Sequence, residues 1–311
     1  MTSPRLIDPP ALMRIRSLEL RARAVVEGFW SGLHRSPYHG FSVEFSEYRQ
    51  YSPGDDPRHL DWRVFARSDR DFIRRFEDET NLRVQLVVDL SRSMTFGRDG
   101  LTKAAYAATL AATLAWFLHQ QGDAVGLLSF DEGVRDYLPA RHRHGHLRQL
   151  LFALEKPPGG AATDLAAPLR RTSELLRKRG LVVVISDFLA PLEPLQRELP
   201  LLAAAGQELV LFQVLDPAET TFELGDASLF RDLETGRVVY VDPAAARAGY
   251  LARFEEHSSA LRRLCDQSGI TFRRLTTDRP LELALFDFLQ DRRARGRSWR
   301  ARHNAPGRAA A

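Results

Sequence analysis

Cysteine is nearly absent. Cys265 stands alone in 311 residues, so no intrachain disulfide can form and nothing in the chain asks for an oxidising compartment. Its neighbours Leu264 and Asp266 offer no base that would activate a thiol, which leaves a buried, inert sulfhydryl as the expectation. Lysine is scarce too: Lys103, Lys156 and Lys178 are the only ones among 44 basic residues. The basic excess is therefore arginine. A net charge of +4 over this length lacks the concentrated basic face of a dedicated nucleic-acid binder. Long apolar runs are missing as well. The most apolar helix-like stretch, 104–118, falls short of the roughly 20 residues that span a bilayer, and 199–215 is interrupted by Gln207 and Glu208. No short apolar core sits between a basic start and a small-residue cleavage site at the N-terminus. A soluble, cytoplasmic chain with no membrane span is expected.

What is present suits a globular fold. Apolar residues make up 44% and charged residues 27%, enough for a core and ordinary for a folded domain. The length allows one large domain with an appendage. Residues 10–30 carry Leu12, Ile15, Leu18, Val25 and Phe29 at helical spacing between arginines, which predicts one amphipathic helix. Residues 31–80 mix Gly, Pro, aromatic and charged residues without a long period, and predict irregular structure with short strands. From residue 82 strands and helices alternate. Strands are predicted at 82–89, 124–130, 134–138, 181–186, 208–215 and 270–275. Helices are predicted at 102–121, 146–155, 163–179, 192–205, 243–267 and 281–290. Gly122, Gly180 and Gly206 follow three of these helices and read as left-handed C-terminal caps. A hairpin is predicted at about 220–241, turning at Glu234-Thr235-Gly236. The fold class is therefore α/β: a doubly wound, Rossmann-like, mostly parallel sheet with an irregular N-terminal segment and an inserted β-hairpin. The chain divides into 1–80, a helix and charged segment packed on the main domain; 81–290, the α/β domain; and 291–311, an arginine-rich tail expected to be disordered.

Open parallel sheets bind ligands beyond the carboxyl ends of their strands, where strand order switches. The first core strand ends in Asp89-Leu90-Ser91-Arg92-Ser93 and the fourth in Ser186-Asp187, while Thr163 begins the helix leading into that fourth strand. If the strands are neighbours, Asp89, Ser91, Ser93, Thr163 and Asp187 converge. Two carboxylates and three hydroxyls form an all-oxygen set of the kind hard cations such as Mg2+ or Mn2+ prefer. Helix capping by the same Asp and Ser residues is the structural alternative.

These residues resemble the metal-ion-dependent adhesion site of von Willebrand factor A domains. The resemblance implies that Asp89, Ser91, Ser93, Thr163 and Asp187 hold the metal directly or through water, with Thr172 as the alternative hydroxyl. The preceding segment, from Gly40-Phe41-Ser42-Val43-Glu44-Phe45 through Arg49-Gln50-Tyr51-Ser52-Pro53-Gly54-Asp55-Asp56-Pro57-Arg58 to Asp61-Trp62 and Ala66-Arg67, resembles the bacterial family catalogued as domain of unknown function 58. That resemblance implies a metal-dependent protein-binding module, without catalytic residues, that serves as adaptor or co-chaperone of a MoxR-type AAA+ ATPase or binds its client. Arg49, Asp55, Asp56 and Arg58 are its candidate partner contacts. A metal-assisted hydrolase is the competing reading, and nucleic-acid binding through the arginine tail a third. Against the former, no histidine lies within the motif to activate Ser91 or Ser93.

Overall fold

The computed structural model describes residues 6–35, 48–50, 72–74, 82–98, 100–160, 165–176, 178–223, 228–231 and 237–303. Two compact units are distinguished: Met1–Gly32 with Leu82–Ala311, and Leu33–Asn81. At the N-terminus the single expected helix is two, α1 (Pro9–Met13) and α2 (Leu18–Arg35). The break has a local cause. Asp8 accepts a bond from Ala11 N and caps α1, while Ser17 Oγ accepts one from Leu20 N and starts α2 afresh. In the smaller unit β1 (Tyr48–Gln50) pairs antiparallel with β2 (Phe72–Arg74), setting Arg49 opposite Ile73. Asp55, Asp56 and Arg58 lie outside the described residues.

The larger unit is built on a six-stranded sheet. Its strands are β3 (Arg83–Asp89), β6 (Ala124–Phe130), β7 (Val134–Arg141), β8 (Leu181–Ser186), β9 (Glu208–Leu215) and β12 (Thr271–Thr276). Two-residue strands β4 (Gly97–Arg98) and β5 (Leu101–Thr102) pair with each other in the connection after β3. The helices between are α3 (Lys103–Gln120), α4 (His146–Leu154), α5 (Ala166–Leu175), α6 (Glu193–Ala204), α7 (Pro217–Thr221), α8 (Pro243–Gln267) and α9 (Leu281–His303). Strand order is β12-β9-β8-β3-β6-β7. All neighbours are parallel except the edge strand β7, which runs antiparallel to β6. The α/β, doubly wound, mostly parallel class read from the alternation is the fold observed.

The pattern of burial follows from that layering. β8 (LVVVIS) is buried at every position, as a central parallel strand covered on both faces must be. α3 is apolar on nearly all sides, which requires cover on its outer surface. α2 and α9 supply it: Phe29 and Trp30 pack on Phe117, and Tyr106 of α3 donates to the Arg279 carbonyl just ahead of α9. On the opposite face Val87, Val182, Val184 and Leu211 meet Leu169, Leu199, Leu261 and Cys265 from the helices. Cys265 is buried, as expected.

Several boundaries differ from the sequence reading. α5 stops at Leu175, not at 179, so Gly180 caps no helix. A Cβ at Gly180 would lie 2.6 Å from the Arg83 carbonyl oxygen, and close approach of two strands is what demands glycine there. Gly122 and Gly206 do sit at positive φ, at 85° and 84°. The hairpin is β10 (Ser228–Arg231) with β11 (Val238–Val241), preceded by the short helix α7. Arg141 ends β7, and His146 opens α4, buried and bonded to the Val125 carbonyl. The tail expected to be disordered from 291 continues α9 to His303, in keeping with the helix propensity of its Ala and Arg residues.

Candidate functional site

β3 is the centre of the sheet, with β6 on one side and β8 on the other. The chain leaves β3 toward β6 and returns to β8, so the switch point lies between β3 and β8. Their carboxyl ends carry Asp89 and Ser186-Asp187. Sequence alone could place these residues at strand ends; the pairing of β3 with β8 makes them neighbours.

Hydrogen bonds then fix the side chains. Asp89 Oδ1 accepts from Ser91 N at 2.9 Å, a turn that folds the chain back over the strand end. Asp89 Oδ2 accepts from Ser186 Oγ at 2.5 Å. Ser91 Oγ and Ser93 Oγ are 3.1 Å apart, and Ser93 Oγ donates to Asp187 Oδ2 at 2.9 Å. Asp187 Oδ1 accepts from Leu189 N. Ser93 stands in a single 3-10 turn, Arg92–Thr95, which aims its hydroxyl back at the sheet. Four of the sequence-predicted residues, Asp89, Ser91, Ser93 and Asp187, are thus brought into one hydrogen-bonded cluster. Thr163 lies outside the described residues. Thr172, the alternative, is turned into its own helix and donates to the Pro168 carbonyl. Of the candidate partner contacts, Arg49 lies in β1, in the other compact unit.

The sequence reading missed the residue that anchors the cluster. Lys103, at the start of α3, is 1% exposed. Its ammonium donates to Asp187 Oδ2 at 2.8 Å and to Glu219 Oε1 at 2.6 Å. Burial opposes its charge, but Asp187 and Glu219 outweigh burial and hold its pKa above the ordinary lysine value. Glu219 also accepts from Asp216 N, completing the capping box of α7. Tyr250 donates to the Glu219 carbonyl. A signal for Lys103 existed. A cation in the first turn of a helix opposes the macrodipole, and α3 has no acidic residue there to offset it; a carboxylate from elsewhere had to supply the balance.

The backbone beyond Asp187 is held in an uncommon conformation. Phe188 has φ 51°, a left-handed region costing a bulky residue roughly 1–2 kcal/mol. Its N–H donates to Ser186 Oγ and its carbonyl accepts from His257 Nε2 at 2.7 Å. The strained link orients the Asp187 loop over the strand end.

Charge decides what this cluster can hold. Asp89 is fully buried and Asp187 nearly so. Burial, and next the Asp187 charge, push the Asp89 carboxyl up to about 7. Asp89, Asp187 and Glu219 set three carboxyls against one ammonium, Lys103, and ionising all three leaves two negative charges uncompensated. A buried excess of that sign is costly without a cation. Asp89 with the two serine hydroxyls is an oxygen donor set suited to a hard divalent ion, and so these residues fit one.

The sequence profile of the family described as "Protein of unknown function DUF58" matches residues 47–260. An uncharacterized protein of Mycobacterium tuberculosis is 31% identical over 310 residues, spanning 94% of this chain and 96% of its own. One from Mycobacterium bovis gives the same figures, 31% over 94% and 96%. Among solved structures, the conserved hypothetical protein BatB from Bacteroides thetaiotaomicron superposes with a TM-score of 0.45 at 15% identity, over 68% of this chain and 98% of that one. The SpRpn10 VWA domain superposes with a TM-score of 0.38 at 10% identity, over 65% and 92%.

Proposed function

This chain belongs to the DUF58 family, and from that premise we propose that it is a metal-dependent protein-binding module, acting through a divalent ion held by Asp89, Ser91 and Ser93 with Asp187 behind them. The observation that carries the reading is the convergence of these side chains, at the switch point of the sheet, in a cluster whose carboxylates outnumber its one ammonium. A bound Mg2+ or Mn2+ supplies a Lewis-acidic centre able to accept a carboxylate oxygen from another protein. The chain's own part is to hold the donors rigidly. Asp89 is fixed through both oxygens, and Ser93 is fixed through Asp187.

The chemistry favours binding over catalysis. Ser93 Oγ donates to Asp187 Oδ2, and that oxygen also accepts the Lys103 ammonium, which lowers its basicity toward the serine proton. The partner we propose is a MoxR-type AAA+ ATPase, or the client it remodels, presenting an Asp or Glu side chain; this rests on the family resemblance. That work is done in the cytoplasm, and no helix among the described residues is long and apolar enough to cross a membrane.

Two measurements test this. Mg2+ or Mn2+ added to metal-stripped protein raises the unfolding temperature, because a ligand of the native state stabilises it by mass action; Asp89→Ala abolishes the rise while leaving a folded protein. From cell lysate the wild-type chain captures the ATPase in Mg2+ and releases it in EDTA. Capture of the same ATPase by Asp89→Ala with undiminished yield would sink the metal-bridged mechanism.

A further inference from the structure

Lys103 invites an explanation beyond packing. A lysine ammonium at 1% exposure is rare and expensive to bury. It is set in the first turn of a helix, the end where a positive charge is least favoured. It contacts no solvent and reaches two carboxylates on separate elements: Asp187 beyond β8 and Glu219 in α7. Asp187 Oδ2 receives both this ammonium and the Ser93 hydroxyl, so that oxygen is already committed to donors from within the chain. The donors left for an ion are on the Asp89 side, where the buried Asp89 and Ser91 meet Ser93.

We propose that Lys103 is a built-in monovalent cation that sets the charge the site presents, so that the cluster favours a trivalent over a divalent ion less than its carboxylates alone would. The proposal rests on the metal-binding reading above. With an ion bound all three carboxyls are ionised: Asp89, Asp187 and Glu219 then carry three negative charges, Lys103 removes one, and two remain for the ion to balance. Without Lys103 three would remain, and a trivalent ion of the same coordination preference would gain relative to a divalent one. Glu219 works in the opposite direction: neutralising it while Lys103 stays leaves one.

This gives a charge ladder that a merely structural role would not reproduce. Affinities of the full-length protein for Tb3+ and Mn2+ are measured by calorimetry at one pH, and the ratio of the two is read. Loss of packing weakens both ions alike and cancels in the ratio; a change of site charge does not. Lys103→Met raises the ratio of Tb3+ to Mn2+ affinity about a hundredfold, the scale of one unit charge roughly 6 Å away across an effective dielectric near 20. Glu219→Gln lowers it by about the same factor. The double variant Lys103→Met with Glu219→Gln returns it to the wild-type value, and Lys103→Arg, which keeps the charge, holds it there. If Lys103→Met does not fold, the direction in Glu219→Gln alone decides, since that variant keeps the ammonium on Asp187. A ratio that stays constant along the ladder while Mn2+ still binds overturns this inference and leaves the metal site standing. Failure of the wild-type protein to bind Mn2+ at all overturns the metal reading, and this inference with it.

Discussion

At the scale of single residues, Phe188 shows two opposing effects whose magnitudes decide the outcome. Its φ of 51° would be relieved by glycine, a gain of roughly 1–2 kcal/mol. Its ring is fully buried within the core that joins β8 to the helices, and removing a buried aromatic ring costs about 3–5 kcal/mol. The ring wins. Phe188→Gly is expected to lower stability by about 2–3 kcal/mol, the difference of those two effects, read as an earlier urea midpoint. A midpoint equal to or above wild type would mean that the left-handed backbone, not the ring, dominates at this position. Lys103 belongs to the same scale. Its charge survives burial because two carboxylates reach it, and neither is adjacent in sequence.

At the scale of elements, the pairing of β6 with its two neighbours turns on Gly126. Gly126 lies opposite Gln85 of β3, and on its other side the β6–β7 register shifts between Val125 and Leu127. A Cβ at Gly126 would stand 2.4 Å from Gln85 Oε1, 2.6 Å from Ala140 N and 2.7 Å from the Leu138 carbonyl oxygen. Two of those atoms are backbone and cannot swing aside. Replacing glycine in an ordinary conformation stabilises by up to about 1 kcal/mol through the unfolded chain, whereas forced overpacking costs about 1–3 kcal/mol. Gly126→Ala is therefore expected to destabilise, with the loss concentrated at the β6–β7 edge. Amide exchange should show β7 losing protection before β3 and β8; uniform loss across the sheet would contradict the assignment of the strain to that edge.

At the scale of the whole molecule, protonation of the buried Cys265 and the half-buried Tyr250 contributes to stability. Burial pushes the Cys265 thiol from 9.0 up to about 12. Burial, and next the Glu219 charge, push the Tyr250 hydroxyl from 10.0 up to about 12. In both cases the folded value exceeds the unfolded one. The stability they contribute is thus fully present below about 9 and is lost as pH rises toward about 12. The thermal midpoint is expected to hold to about pH 9 and fall steadily above it, and Cys265→Ala is expected to shallow that fall. A midpoint flat to pH 11 would rule the linkage out. In the native state the same thiol should resist alkylation at pH 8 until the protein unfolds.

The sequence by itself determined the succession of elements from residue 82 onward. Alternating apolar runs and capped helical periods are local properties, and β6, β8, β9 and α8 lie at the boundaries they predict. It also determined the family, through the motif around Asp89 and the charged segment before it. It placed Asp89, Ser91, Ser93 and Asp187 at or just beyond strand ends. Only the tertiary structure decided that β3 and β8 are neighbours, so that Ser93 reaches Asp187 across 94 positions of sequence. Only it supplied Lys103 and Glu219, whose roles depend on charges meeting in a buried space that no local pattern records. Helix breaks followed the same division. The split between α1 and α2 turns on one side-chain bond from Ser17, a choice between cap and continuation that hydrophobic spacing does not express. Gly180 likewise looked like a helix cap because it follows an apolar period, when its cause is the Arg83 carbonyl on the next strand. Period and capping are written along the chain; contact between distant carboxylates, ammonium and backbone exists only once the sheet is assembled.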